Sequence, residues 1–363
     1  MAVTGTGGAE RPPRALVLRA LGLGDLLTAL PALRGLRRGL PGWRLTLAAP
    51  RRVAPIALLS GAVDDVFPAS GLAPLPPPDG PVDLAVNLHG CGPQSHRLLR
   101  SLRPGQLIAF ANGDVDGCDG PAWHCAEHEV ARWCRLVEAH GFDTDPGELD
   151  LPRPPLGSAA PGAIVIHPGA GYPARQWPAE RYGAVAEALR ARGERVVITG
   201  SRGETALARR VAMLGGLGPE AELSGRTGPL ELAILIARAR LVICGDTGTA
   251  HLATAYGTPS VLLFGPTPPE LWGPPPERTQ HTVLWTGHRG DPRGGRPDPG
   301  LLEISVDRVV EAATRVLERP NIKEGARHDG AVSARGRGGG RGIPRFASVR
   351  EAAGPRHIGG VPG

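Results

Sequence analysis

Short apolar runs of strand length alternate along this chain with longer stretches whose apolar residues recur at helical spacing. Ala15–Leu18, Arg44–Ala48, Val63–Phe67 and Asp83–Asn87 read as strands; helices are predicted over Asp25–Leu36, Val53–Leu59, Gln94–Leu102 and Ala126–His140. After a proline-rich stretch, Leu151–Pro161, the pattern restarts. Strands are predicted over Ala163–His167, Arg195–Thr199, Leu241–Cys244 and Ser260–Phe264, and helices over Ala179–Arg192, Glu204–Leu214, Pro229–Ala237 and Thr249–Tyr256. An amphipathic helix over Val306–Leu317 closes the series.

Strands alternating with helices imply α/β architecture, with doubly wound parallel sheets. The expected organisation is two Rossmann-like domains, 14–155 and 160–318, facing each other across a cleft and joined through the Leu151–Pro161 linker. A leader (1–13) and a tail (319–363) are too poor in apolar residues to order a core and are expected to be disordered, and Ala73–Pro81 is expected to be a surface loop.

The net charge of +6 raises a nucleic-acid reading, but eight of the 41 Lys and Arg and only three of the 35 acidic residues fall between Pro320 and Gly363. The remaining 33 basic against 32 acidic residues make the folded body nearly neutral, so no specific nucleic-acid partner is expected. Five cysteines in an odd set without CxxC spacing argue against a disulfide framework and suit a reducing compartment. Cys118, His124, Cys125, His128 and Cys134 invite a zinc reading, yet lack the tight paired spacing of a structural site; buried thiols and solvated histidines are the plainer account. No signal-peptide core or membrane-length apolar run is read, so the expectation is cytoplasmic.

The candidate chemistry lies in turns that follow strands, where open α/β sheets bind ligands. Asp246-Thr247-Gly248-Thr249-Ala250-His251 joins a buried strand to a helix and offers unpaired N–H groups with the positive end of the helix dipole, a seat for a diphosphate. Asp25, at the start of the first helix, reads equally as an N-cap or as a carboxylate facing the cleft. Gly22-x-Gly24 lacks the third glycine of a dinucleotide fingerprint, so no nicotinamide cofactor is expected. Arg175 can offer a fork of donors to a diphosphate or pair on the surface with a carboxylate, and Glu204 can accept from a ribose or simply complement a helix dipole.

Taken in order, R-x-x-x-x-G-D from Arg19 to Asp25, H-P-G-A from His167 leading to R-x-W-P at Arg175, T-G-S-x-x-E ending at Glu204, L-S-G-R-T from Leu223, G-D-T-G-x-x-H-L-A-x-A from Gly245 and F-G-P-T from Phe264 resemble glycosyltransferase family 9, the heptosyltransferase family of bacterial surface-polysaccharide assembly. The resemblance spans about Ala15 to Leu317 and implies a GT-B architecture, an N-terminal acceptor-binding half and a C-terminal half for a nucleotide-sugar donor such as ADP-heptose. It implies that Asp25 is the catalytic aspartate, that Arg175 (often Lys) contacts the donor diphosphate, that Glu204 contacts the nucleoside, and that Asp246, Thr247, Gly248, Thr249 and His251 bind the donor. Where relatives often carry a Thr pair after the histidine, this chain has Gly169-Ala170.

The expected activity is inverting transfer of heptose or a related sugar to a hydroxyl of a cell-surface glycan or glycolipid precursor, by a monomer in the cytoplasm or at the inner membrane face. Neither a cofactor nor a metal is expected. A nucleotide-sugar epimerase and a non-catalytic nucleotide-sugar binder are the alternatives, and the loop after Asn87-Leu88-His89-Gly90, with Asn112–Cys125, is expected to shape the acceptor pocket.

Overall fold

The computed structural model describes residues 11–76 and 80–319. Residues 1–10 of the expected leader, 77–79 of the expected Ala73–Pro81 loop and 320–363 of the expected tail lie outside them. The first half runs β1 (Arg14–Leu18), α1 (Leu23–Thr28), α2 (Leu30–Gly39), β2 (Arg44–Ala49), α3 (Ala54–Leu59), β3 (Asp65–Pro68), β4 (Leu84–Asn87), α4 (Gln94–Arg100), β5 (Gln106–Ile108) and α5 (Glu129–Glu138). The second runs β6 (Ile164–His167), α6 (Ala179–Ala191), β7 (Val196–Ile198), α7 (Thr205–Leu214), α8 (Pro229–Ala237), β8 (Leu241–Gly245), α9 (Gly248–Tyr256), β9 (Ser260–Leu263), α10 (Pro269–Trp272), β10 (His281–Leu284), α11 (Pro299–Glu303) and α12 (Val306–Glu318).

Each half builds a five-stranded, wholly parallel sheet, in the order β3-β2-β1-β4-β5 and β10-β9-β8-β6-β7. These are the two doubly wound orders whose direction of winding reverses at one strand pair, β1/β4 in the first sheet and β6/β8 in the second, and ligands bind beyond the carboxyl ends of such strands. The central strands read as continuous apolar runs because helices cover both sheet faces. One buried apolar cluster runs from the first sheet through Leu26, Leu27 and Leu30 to Ala250, Leu252 and Val242 of the second, so the halves share core where α1 meets α9.

Three features depart from the sequence pattern. The helix expected over Asp25–Leu36 is two helices that break at Ala29, because Pro31 has no N–H to continue the ladder and suits only the first turn of α2. β5 and β10 are edge strands of three and four residues that periodicity missed. Arg11, placed with the leader, forks onto the Asp83 carboxylate at 3.1 Å, and the Pro13 carbonyl accepts from Arg44 N–H. The 151–161 stretch carries no helix or strand, and the Leu151 N–H bonds to the Ala255 carbonyl at the far end of α9. No described helix is long and apolar enough to cross a membrane.

Candidate active site

The site forms where the loops after β1, β6 and β8 converge. α1 and α9 meet N-terminus to N-terminus: a Cβ on Gly24 would lie 2.9 Å from His251 Cδ2, and one on Gly248 would lie 3.0 Å from Leu23 Cβ and 3.2 Å from the Gly24 nitrogen. Only glycines allow backbones this close.

Asp25 is not the N-cap of α1. That position is Gly22, and Asp25 stands three residues on, its Oδ2 accepting the Gly22 N–H at 3.0 Å, half of a capping box with no side chain to supply the other half. Its side chain keeps 28% exposure, and Oδ1 lies 3.6 Å from Nη2 of the buried Arg19. The N-cap reading therefore fails at Asp25, whose Oδ2 instead reaches back to the N-cap N–H while the carboxylate stays part-exposed.

On the opposite side, Thr247 caps α9 without a side-chain bond. The Ala250 and His251 N–H groups return to the Thr247 carbonyl, which leaves the Thr247, Gly248 and Thr249 N–H groups without an acceptor among the described residues. Of the four amides from Thr247 to Ala250, only that of Ala250 is taken up. Arg175 Nη1 lies 3.5 Å from Asp246 Oδ2 and from the Asp246 carbonyl, and Arg175 Nε is buried without a partner. The Thr247 hydroxyl is likewise buried, with only the soft Cys244 thiol beside it. Buried polar atoms are paired in nearly all folded proteins, so two orphans at one helix start mark where an anion would complete the bonding.

Burial raises the Asp246 carboxyl above its ordinary range, against the opposing charge of Arg175, and the negative charge of Asp25 adds to the rise. Two carboxylates from opposite halves therefore sense one another across the site. Burial and the neighbouring His128 push His251 down to about 4, so its ring is neutral at physiological pH, packed edge-on to Trp272.

Beside α9 a hollow of about 260 Å³ is lined by Leu23 and Arg52 from the first half and by His167, Gly200, Ser201, Glu204, Thr227, Gly228, Pro229, Leu232, Gly248 and Thr249 from the second. Glu204 closes a capping box with Ser201, accepting its N–H at 2.7 Å. A Cβ on Gly169 would meet Glu204 Oε1 at 2.1 Å, so the carboxylate occupies the space that a larger residue after His167-Pro168 would fill. The Gly169-Ala170 departure thus has a local physical reason.

Sequence reasoning missed Arg52, and it gave no role to Arg19 or Glu129. The segments expected to shape an acceptor pocket make local bonds: the Asn112 amide donates to the Cys91 carbonyl at 2.9 Å, and His89 Nδ1 accepts the Ala20 N–H at 3.2 Å. Among Cys118, His124, Cys125, His128 and Cys134 there is no convergence: His128 caps α5 and bonds the Gly273 carbonyl, while Cys118 and Cys134 sit in separate apolar clusters. No group of three or more His, Cys, Asp or Glu gathers as a metal site among the described residues.

Two parallel sheets presenting their switch points to a common site define the GT-B class. The model of glycosyltransferase family 9 (heptosyltransferase) matches residues 124–295. Lipopolysaccharide heptosyltransferase 2 of Salmonella typhimurium is 30% identical over 169 residues, 44% of this chain and 48% of that protein. Lipopolysaccharide heptosyltransferase 1 of Pseudomonas aeruginosa is 28% identical over 301 residues, 72% of this chain and 81% of that protein. The chain spans about half the length of the curated heptosyltransferases 2 it matches, 48% and 46%. The crystal structure of the E. coli ADP-heptose lipopolysaccharide heptosyltransferase II superposes with a TM-score of 0.66 at 20% identity, over 84% of this chain and 98% of the other. Over residues 124–295 the chain is similar to glycosyltransferase family 9, and it shares the fold of the solved heptosyltransferase structure.

Proposed function

We propose that this chain is an inverting glycosyltransferase that moves a heptose from ADP-heptose to a hydroxyl of a lipopolysaccharide core precursor. The observation that carries this reading is the meeting of α1 and α9, which brings a part-exposed carboxylate within electrostatic reach of an amide- and cation-lined helix start. The named activities of the similar proteins supply the sugar and the acceptor class.

In this reading Asp25 accepts the acceptor's hydroxyl proton as general base, an effect of roughly 10²–10⁴ in rate. The acceptor oxygen attacks the anomeric carbon from the face opposite the diphosphate, the bond to the leaving oxygen breaks with its electron pair, and configuration inverts. Charge growing on the departing ADP is met by the Gly248 and Thr249 N–H groups, the Thr247 hydroxyl, the α9 dipole and Arg175. Glu204 and His167 line the hollow that would hold the nucleoside, and Arg52 and Leu23 cover it from the other half. Asp246 is engaged by Arg175, which suits a role in orienting the turn and meeting sugar hydroxyls.

Because cations and amides answer the leaving charge, turnover is proposed to persist in EDTA. The working form is proposed to be a monomer at the cytoplasmic face of the membrane that carries the acceptor. Thermal-shift measurement against a panel of nucleotide sugars, followed by ADP release with heptose-deficient lipopolysaccharide, tests the assignment. Stabilisation by ADP-heptose and acceptor-dependent ADP release support it; stabilisation by a uridine or guanosine diphosphate sugar alone overturns the donor.

A further inference from the structure

Behind Asp25 lies a buried ion network that the transfer step does not by itself require. Arg19, directly after β1, is 1% exposed. Its Nε donates to the Asp25 carbonyl at 2.8 Å, Nη1 to the Leu88 carbonyl at 2.5 Å, and Nη2 to Thr28 Oγ1 at 3.2 Å and to Glu129 Oε1 at 2.9 Å. Its guanidinium lies over the Trp133 ring, 4.6 Å from the centroid. The same Nη2 stands 3.6 Å from Asp25 Oδ1, beyond hydrogen-bond reach. One cationic nitrogen thus sits between two carboxylates and bonds the one farther from the cleft.

Glu129, 5% exposed at the start of α5, is built to win that contest. Its Oε1 also accepts Trp133 Nε1–H at 2.8 Å, and its Oε2 accepts Arg132, whose guanidinium lies over Trp123. Burial alone would raise the Glu129 carboxyl, but the charge and hydrogen bond of Arg19, with Arg132 and Trp133, hold it below the ordinary range, so it is ionised. Among the described residues, His89, on the loop after β4, and Asp246, across the site, also sense the charge of Asp25.

We propose that Glu129 is a positioning residue for transfer: by holding Arg19 on its far side, it keeps the guanidinium from closing onto Asp25 and leaves Asp25 Oδ1 free to take the acceptor's proton. Arg19 in turn fixes the turn that carries Asp25, through the Asp25 carbonyl and through Thr28, whose hydroxyl donates to that same carbonyl at 3.0 Å. With Glu129 neutralised, nothing balances Arg19, and its shortest route to a counter-charge is to pair directly with Asp25. The inference rests on the reading of Asp25 as the base.

The test is steady-state ADP release from ADP-heptose with heptose-deficient lipopolysaccharide, alongside thermal melts, for wild type, Glu129→Gln, Glu129→Asp, Asp25→Asn and the Asp25→Asn/Glu129→Gln pair. Glu129→Gln is expected to lower kcat 10- to 100-fold with the ADP-heptose KM unchanged, and Glu129→Asp, which keeps the charge but draws it back from Arg19 by one methylene, to recover part of that loss and stay three- to tenfold below wild type. The double variant should be no slower than Asp25→Asn, because both act on one group. A folded Glu129→Gln enzyme with wild-type kcat, or losses of kcat and KM that track a fall in Tm, overturns the proposal. Should Glu129→Gln not fold, Glu129→Asp, which keeps the charge balance, decides: a three- to tenfold fall in kcat at constant KM supports it, and wild-type kcat overturns it. Wild-type turnover by Asp25→Asn would instead sink the base reading, whatever Glu129→Gln does.

Discussion

The Gly248 backbone at the head of α9 lies against the Gly24 backbone at the head of α1, so near that a Cβ on Gly248 would fall 3.2 Å from the Gly24 nitrogen. Neither glycine has a left-handed φ. What the site requires of them is absence of bulk, which lets the carboxylate one residue past Gly24 approach the amides of α9. Gly248→Ala is therefore expected to wedge the two helix starts apart, lowering kcat about tenfold while Tm moves little, since the halves remain joined elsewhere. Steady-state kinetics with a melting curve check this; an alanine enzyme with wild-type kcat would show that contact at this point is dispensable.

Arg175 presents a buried, unpartnered Nε while its Nη1 faces Asp246. Removing it should cost a charge-assisted bond, about 1.5–3 kcal/mol, or roughly ten- to a hundredfold in affinity for ADP. It should also free Asp246 from its counter-charge. Isothermal titration of Arg175→Ala with ADP checks the magnitude, and Arg175→Lys is expected to retain most of the affinity as a point charge.

Gly169 makes room for the Glu204 carboxylate. Gly169→Ala is expected to push that carboxylate aside and weaken ADP binding about tenfold, whereas a ligand of inorganic diphosphate alone should bind as before. Titrating both ligands against the variant separates a nucleoside effect from a phosphate effect.

Two histidines, His281 and His251, give stability a defined acid dependence. His281 Nδ1 shares a hydrogen bond with Ser260 Oγ at 2.8 Å and its Nε2 has no partner. Burial, helped by the charge of Arg278, pushes His281 from 6.5 down to about 4, and burial does the same for His251. Above pH 6.5 both rings are neutral folded or unfolded, so their contribution is complete. As pH falls from 6.5 towards 4, only the unfolded chain takes up these protons, and stability is lost. Tm is expected to decline across that window, and less steeply in His281→Gln; a wild-type Tm that is flat from pH 7 to 4.5 would contradict it.

Much of this was legible from local pattern. Continuous apolar runs gave the central strands, because β1, β4, β6 and β8 are buried on both faces and leave no polar alternation to confuse the reading. Asp25, Arg175, Glu204 and the Asp246–His251 turn stand out as candidates in the sequence because each lies in the segment that follows a strand. β10 begins with His281, bonded to Ser260 of the neighbouring strand, and β5 begins with Gln106; each is an edge strand too short to show an apolar run. The Arg19–Glu129 pair spans 110 positions, and Glu129 in the first turn of α5 looks like any acid complementing a helix dipole. Arg52 reaches the hollow beside α9 only through the packing of the two halves, which no local signal encodes.

The central claim is that a first-half carboxylate activates an acceptor against a donor held on the second half. Its most direct test is acceptor-dependent ADP release by Asp25→Asn, with ADP-heptose affinity measured on the same sample. The account predicts wild-type affinity with turnover reduced at least about 100-fold; undiminished turnover by that variant would contradict it.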